Sequence, residues 1–144
     1  MLADLAADVR ARRRSAEELV LAALARIEAA RDLNAVVTLR AEAALADAAV
    51  VDELARRAPE RLGPLAGLPL LVKDIEDVAG LRTTYGSLLH AEDPPALADG
   101  LVPGRLKRAG AIVVGKTNTP EFAFEAYTGN RLFGATRNPW APGF

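Results

Sequence analysis

Two short apolar runs, each opened by a glycine and closed by a lysine soon after its end, constrain this chain more than anything else in it. The first is Leu68 to Val72, preceded by Gly67 and followed by Lys73-Asp74. The second is Ala111-Ile112-Val113-Val114, between Gly110 and Gly115-Lys116. Runs this short, with such flanks, suit buried strands better than helices. Between them, His90 to Gly100 holds Pro94-Pro95 and is expected to be irregular. Leu101 to Ala109 leans helical, but Pro103-Gly104 predicts either a kink or a short helix starting at Pro103. Gly110 is then a natural C-cap. Strand, helix and strand at this spacing argue a right-handed parallel crossover, hence an α/β sheet. Lys73 and Lys116 would both emerge at one sheet edge, where α/β folds keep their sites.

The preceding residues read as helices. Leu2, Leu5, Ala6 and Val9 fall at helical spacing. Ser15 with Glu18 has the form of a capping box, opening a helix over about 16–30 with Val20, Ala23, Leu24 and Ile27 as its stripe. After Asn34, residues 35–39 are strand-like. An alanine-rich helix follows from Arg40 to Arg57, with Ala41, Leu45, Ala48 and Val51 on one face, and Pro59 stops it. The expected organisation is a helical segment over 1–58 and an α/β segment over 59–144.

Composition removes several classes of function. Half the chain is apolar, a quarter is charged, and the net charge is −1, an ordinary globular balance. There is no cysteine, which excludes disulfides, thiolate metal sites and a cysteine nucleophile. The basic cluster Arg10-Ala11-Arg12-Arg13-Arg14 has no interleaved aromatics, so nucleic acid is set aside as a partner. Met1 to Val9 lacks a basic signal-peptide region, and no apolar run reaches membrane-spanning length. No membrane partner is expected, and cytoplasmic location is the default expectation.

Lys73, taken alone, is a gatekeeper charge with its stem on the core and its head in water. Partial burial would instead lower its pKa and let a neutral amine act as a base. His90, the single histidine, has no ligand spacing around it, and no metal or cofactor is called for. Gly110 to Thr117 matches G-x-x-x-x-G-K-T, but the intervening residues form the strand itself and Pro120 follows closely. A phosphate loop needs its strand before the first glycine, so the match is set aside. Asp74 and Asp77 read as turn caps, Lys116 and Asn118 as loop-fixing donors, and Glu121 as a dipole partner at a helix start after Pro120.

Read together, Gly67-Leu68-Pro69-Leu70-Leu71-Val72-Lys73-Asp74, Asp77-Val78-Ala79-Gly80, Thr83-Thr84-Tyr85-Gly86-Ser87, Gly115-Lys116-Thr117-Asn118-Thr119-Pro120-Glu121-Phe122-Ala123-Phe124 and Leu132-Phe133-Gly134-Ala135-Thr136-Arg137-Asn138-Pro139-Trp140 resemble, in this order, the amidase signature family. The resemblance covers the whole chain. It implies that fold, hydrolysis of amide C–N bonds in a small-molecule amide by a Ser–cisSer–Lys triad, and no cofactor. Lys73 matches the family's lysine base, while Thr119 and Phe122 match positions beside the acyl pocket, a core role for Phe122 and Phe124 being the equal alternative. In the family a Gly/Ser-rich segment with both serines follows the Asn-Pro-Trp stretch. Here Trp140 is followed by four residues, and the only serines are Ser15 and Ser87. Ser87 matches a loop-supporting position. The expectation is therefore the N-terminal part of one amidase-like domain, inactive by itself, needing a complementing chain or further sequence. The alternative is a non-enzymatic interaction or oligomerisation module, with a homo-oligomer forming through open strand edges.

Overall fold

The computed structural model describes residues 1–141 and 143. Its elements are α1 (Leu2–Arg10), α2 (Ala16–Ala29), β1 (Val36–Leu39), α3 (Ala41–Arg57), β2 (Pro69–Lys73), α4 (Leu101–Arg108), β3 (Ile112–Thr117), β4 (Gly129–Asn130) and β5 (Gly134–Ala135). Both apolar runs are strands, and residues 36–39 form a third. The sheet order is β1-β3-β2. β1 lies antiparallel to β3, pairing Val36 with Thr117, Thr38 with Lys116 and Leu39 with Gly115. Beside β3 on its other flank, Leu68 accepts from the Ile112 amide (2.8 Å) and the Asp74 amide donates to Thr117 (3.0 Å). Partners that advance together make this pair parallel, so the sheet is mixed. β3 thus has a neighbour on each side, and neither of its edges is open.

β3 is longer than the apolar run suggests, because Gly115, Lys116 and Thr117 continue the strand. This removes the phosphate-loop match on structural grounds, since the stretch from Ile112 is extended where that motif needs a loop and a helix start. Helix α4 starts at Leu101, two residues before Pro103. Pro103 therefore occupies the first turn, where an amide would have no intrahelical partner. Gly110 closes α4 as expected, at φ +100°. Its amide donates to Lys107 (2.9 Å) and that of Ala111 to Leu106 (3.1 Å), the paired bonds of a Schellman motif.

The chain divides into two compact units that interleave in sequence. One comprises Met1–Arg26, Arg40–Leu70 and Gly104–Val114, and the other Ile27–Leu39, Leu71–Pro103 and Gly115–Phe144. The first is built largely on small side chains, with Ala6 and Val9 of α1, Ala16, Leu19 and Val20 of α2, and Ala44, Ala48 and Ala55 of α3 all buried. The buried stripe of α3 centres on Ala44 and Ala48, with Ala41, Leu45 and Val51 only half-buried beside it. The Ser15–Glu18 capping box is present, with bonds of 2.9 and 3.0 Å. The next free amides of α2, at Ala16 and Glu17, donate to the Asp52 carboxylate on α3. The basic cluster also serves the fold: Arg10 donates to the carbonyls of Leu62 and Gly63, and Arg13 pairs with Asp8. Among the described residues, no helix is long and apolar enough to cross a membrane.

A Cβ at Gly115 would lie 2.3 Å from the carbonyl oxygen of Thr38, inside the β1–β3 pair. Gly115→Ala should therefore force the strands apart and destabilise the chain by about 1–3 kcal/mol. Urea unfolding should show a lower midpoint at an unchanged m-value.

Candidate functional site

Alternation along β2 decides the geometry here. Val72 and Asp74 are buried, and Lys73 between them is exposed, because successive side chains leave a strand on opposite faces. Lys73 follows the gatekeeper geometry at this point. Its ammonium has no hydrogen bond or ion pair among the described residues, and the partial burial expected of it is not seen. Its backbone is held, however: the Lys73 carbonyl accepts from the amides of Ile75 (2.8 Å) and Glu76 (3.1 Å).

Asp74 is 1% exposed and Lys116 fully buried, and they form an ion pair at 2.7 Å. An isolated charge in such surroundings is strongly disfavoured, so both must be satisfied in full. They are. Lys116 Nζ has three protons and three acceptors: Asp74 Oδ1, the carbonyl of Arg82 (2.8 Å) and Thr83 Oγ1 (2.8 Å). The Thr83 hydroxyl donates its own hydrogen bond to Asp77 Oδ1 at 2.7 Å. The other oxygen of Asp74 accepts from the Thr84 hydroxyl, and the Thr84 amide approaches both oxygens at 3.3 Å. The Asp74 carbonyl accepts from the Tyr85 amide at 3.0 Å. Neither carboxylate is the local turn cap the sequence suggested: Asp74 pairs with Lys116 and Thr84 and Asp77 accepts from the Thr83 hydroxyl, all six or more residues away, whereas Lys116 does fix a loop. The buried Asp74–Lys116 pair itself was not anticipated. A lysine on an interior strand, with an aspartate ending the neighbouring one, was the signal available for it.

The loop after β2 is tightly turned, with Tyr85 at φ +56° and Gly86 at φ +65°. Ser87 is buried, donates to Glu121 Oε1 at 2.6 Å and accepts from the Leu89 amide. Its hydroxyl is consumed in holding the loop, in keeping with a supporting role. Glu121 departs from expectation. It opens only a single 3₁₀ turn, Glu121–Ala123, in which Phe122 and Ala123 have φ of +52° and +56°. With no helix beyond it there is little dipole to complement, and its carboxylate serves Ser87 instead.

Thr119 and Phe122 lie on the segment following β3. Thr119 is fully buried and its hydroxyl donates to the carbonyl of Pro120 at 3.0 Å. Phe122 is 48% exposed. Its amide donates to the carbonyl of Tyr85, and its ring stacks on that of Tyr85 with centroids 6.1 Å apart. His90 meets both rings edge-on and pairs with Asp93, a local packing role. A pocket of about 330 Å³ opens beside Tyr85, lined by Asp77, Thr83, Asp93, Leu97 and Asp99 among others, but not by Lys73, Thr119 or Phe122.

Three asparagines hold the last part of the chain. Asn34 donates to the carbonyls of Phe133 and Ala135, and Asn118 to that of Gly134 and to Thr136 Oγ1. Asn130 donates to Asn118 Oδ1 and to the carbonyl of Thr119. These side chains add to the two-pair ladder of the short β4–β5 hairpin.

Comparison with known proteins matches residues 18–144 to the family model described as Amidase. The chain is 44% identical over 141 residues to the putative amidase AmiA2 of Mycobacterium tuberculosis, covering 97% of this chain and 28% of that protein. It is 46% identical over 127 residues to a glutamyl-tRNA(Gln) amidotransferase subunit of a Synechococcus strain, covering 88% and 26%. Among solved structures, a bacterial aryl acylamidase of the amidase signature family superposes with a TM-score of 0.92 at 29% identity, over 99% of this chain and 30% of that one. The chain thus spans between a quarter and a third of the length of these proteins.

Removing one member of a buried ion pair strands the other, which costs about 3–5 kcal/mol. Lys116→Met should lower stability by that amount in chemical denaturation, whereas Ser87→Ala, losing two hydrogen bonds, should lower it by about 1–2 kcal/mol.

Proposed function

Because this chain belongs to the amidase family, we propose that it supplies the lysine of a Ser–cisSer–Lys amide hydrolase, with Lys73 as the base. The carrying observation is the contrast between two lysines. Lys116 has every proton committed to a buried oxygen. Lys73 ends β2 exposed, on a fixed backbone, with its amine uncommitted. In its unprotonated form that amine would take a proton from a bridging serine, which takes one from the nucleophilic serine. The nucleophile's oxygen then adds to the amide carbonyl, the C–N bond breaks, and the proton returns to the departing amine. Water afterwards releases the acid from the acyl-serine.

Neither serine of these 144 residues fits the nucleophile or the bridge. Ser15 caps α2, and Ser87 is buried against Glu121. The hydroxyls would come from further sequence or from a complementing chain. The half-exposed ring of Phe122 suits contact with the acyl part of a small amide substrate, and buried Thr119 would shape that wall through its backbone.

The 144 residues assayed alone should hydrolyse no amide. Turnover should appear when a segment bearing the two serines, taken from one of the relatives, is fused or co-expressed. Lys73→Met should then lower kcat by at least about a thousandfold, the scale on which triad members matter. Efficient hydrolysis by residues 1–144 alone would refute the reading.

One observation supports a second reading, an interaction module. Phe124, Tyr127 and Trp140, in one unit, are 91%, 58% and 90% exposed, and large exposed aromatics are common at interfaces. Light scattering that shows a stable self-association of the 144-residue chain would favour it, and a clean monomer would count against it.

A further inference from the structure

We infer that Asp74 and Lys116 are positioning residues for Lys73, fixing the end of β2 against β3 and the 82–87 loop without touching substrate. The inference rests on the reading of Lys73 as the base. Asp74 is tied through both backbone groups and both carboxylate oxygens: its amide to Thr117, its carbonyl to the Tyr85 amide, Oδ1 to Lys116 and Oδ2 to the Thr84 hydroxyl. Lys116 carries the same restraint onward to the carbonyl of Arg82 and to Thr83. On the other side of the peptide, the Lys73 carbonyl holds the amides of Ile75 and Glu76. The peptide that follows the Lys73 Cα is therefore pinned through both its carbonyl and its amide, while the side chain has no partner among the described residues.

A buried pair is a poor device for stability alone, since apolar residues of similar volume often serve as well. It is a good device for direction. The ammonium demands acceptors and the carboxylate donors, each at particular angles, and the groups that meet these demands lie on three separate segments: the β2 end, β3 and the 82–87 loop. A lysine that must meet two hydroxyls in line needs that accuracy, because small displacements of a reacting group are expensive in rate.

The test uses hydrogen exchange read by NMR on the 144-residue chain. The double variant Asp74→Leu/Lys116→Met removes the charges and keeps the volume. The expected result is a thermal midpoint near that of the parent and unchanged protection in α3. The amides of Ile75, Glu76, Tyr85 and Gly86 should exchange at least about tenfold faster, as local opening without global unfolding. Parent-like exchange at all four in the folded double variant would overturn the inference. If the double variant fails to fold, Thr84→Val decides, since it removes the hydroxyl's bond to the carboxylate and leaves the ion pair intact. The amides of Ile75, Glu76 and Tyr85 should again be freed, that of Gly86 being left out because it donates to the Thr84 hydroxyl itself, and Thr84→Ser should restore them; unchanged exchange at these three in Thr84→Val would equally overturn the inference. Exchange is read without substrate, so its failure is distinct from a failure of the amidase reading. In an active complemented assembly, the double variant should lose kcat with KM held.

Discussion

The buried attraction between Asp74 and Lys116 is the interaction around which the end of β2, β3 and the 82–87 loop are arranged. Each charge sits where water cannot reach it, so each must find every one of its partners inside the protein. Those partners are Arg82, Thr83 and Thr84 in the loop, and the backbone of Asp74 is held in turn by Thr117 on the adjoining strand and by Tyr85, where the chain turns left-handed. An apolar pair could fill the same volume. It would not dictate which carbonyl faces which strand end.

Around this pair the unit containing residues 71–103 and 115–144 is organised by polar groups. Ser87 with Glu121, Asn118 with Asn130, and Asn34 with the 133–136 segment each join chain stretches far apart in sequence. The unit containing α1, α2 and α3 is made differently. Alanines at the helix stripes allow close approach, and its polar bonds serve mainly to cap helices and tie loops. One unit packs largely by shape and the other by hydrogen-bond direction, which suits the second to carrying a site.

The match to the amidase family and the exposed amine of Lys73 bear on one another. Relatives are three to four times as long as the part matched here, and catalysis by the proposed triad needs groups beyond these residues. On that proposal, this stretch would contribute the strand that presents the lysine, the loop and pair that hold that strand, and the segment bearing Phe122.

The sequence by itself determined the α/β class, the two core strands, the helices with the Ser15–Glu18 cap and the Gly110 stop, and the family. These follow from local properties: apolar periodicity, glycine at a left-handed position, a side chain that reaches its own helix end. It also pointed to Lys116 and Ser87 as supports. Only the tertiary structure decided that Lys116 is buried and paired with Asp74, that β1 joins the sheet antiparallel, that Glu121 serves Ser87 and no helix, and that Lys73 stands exposed. Each of these depends on partners 10 or more residues away, 34 for Ser87 and Glu121. Spacing along a chain carries no record of which distant groups burial will bring within hydrogen-bonding reach, and a lysine's surroundings are set by that alone.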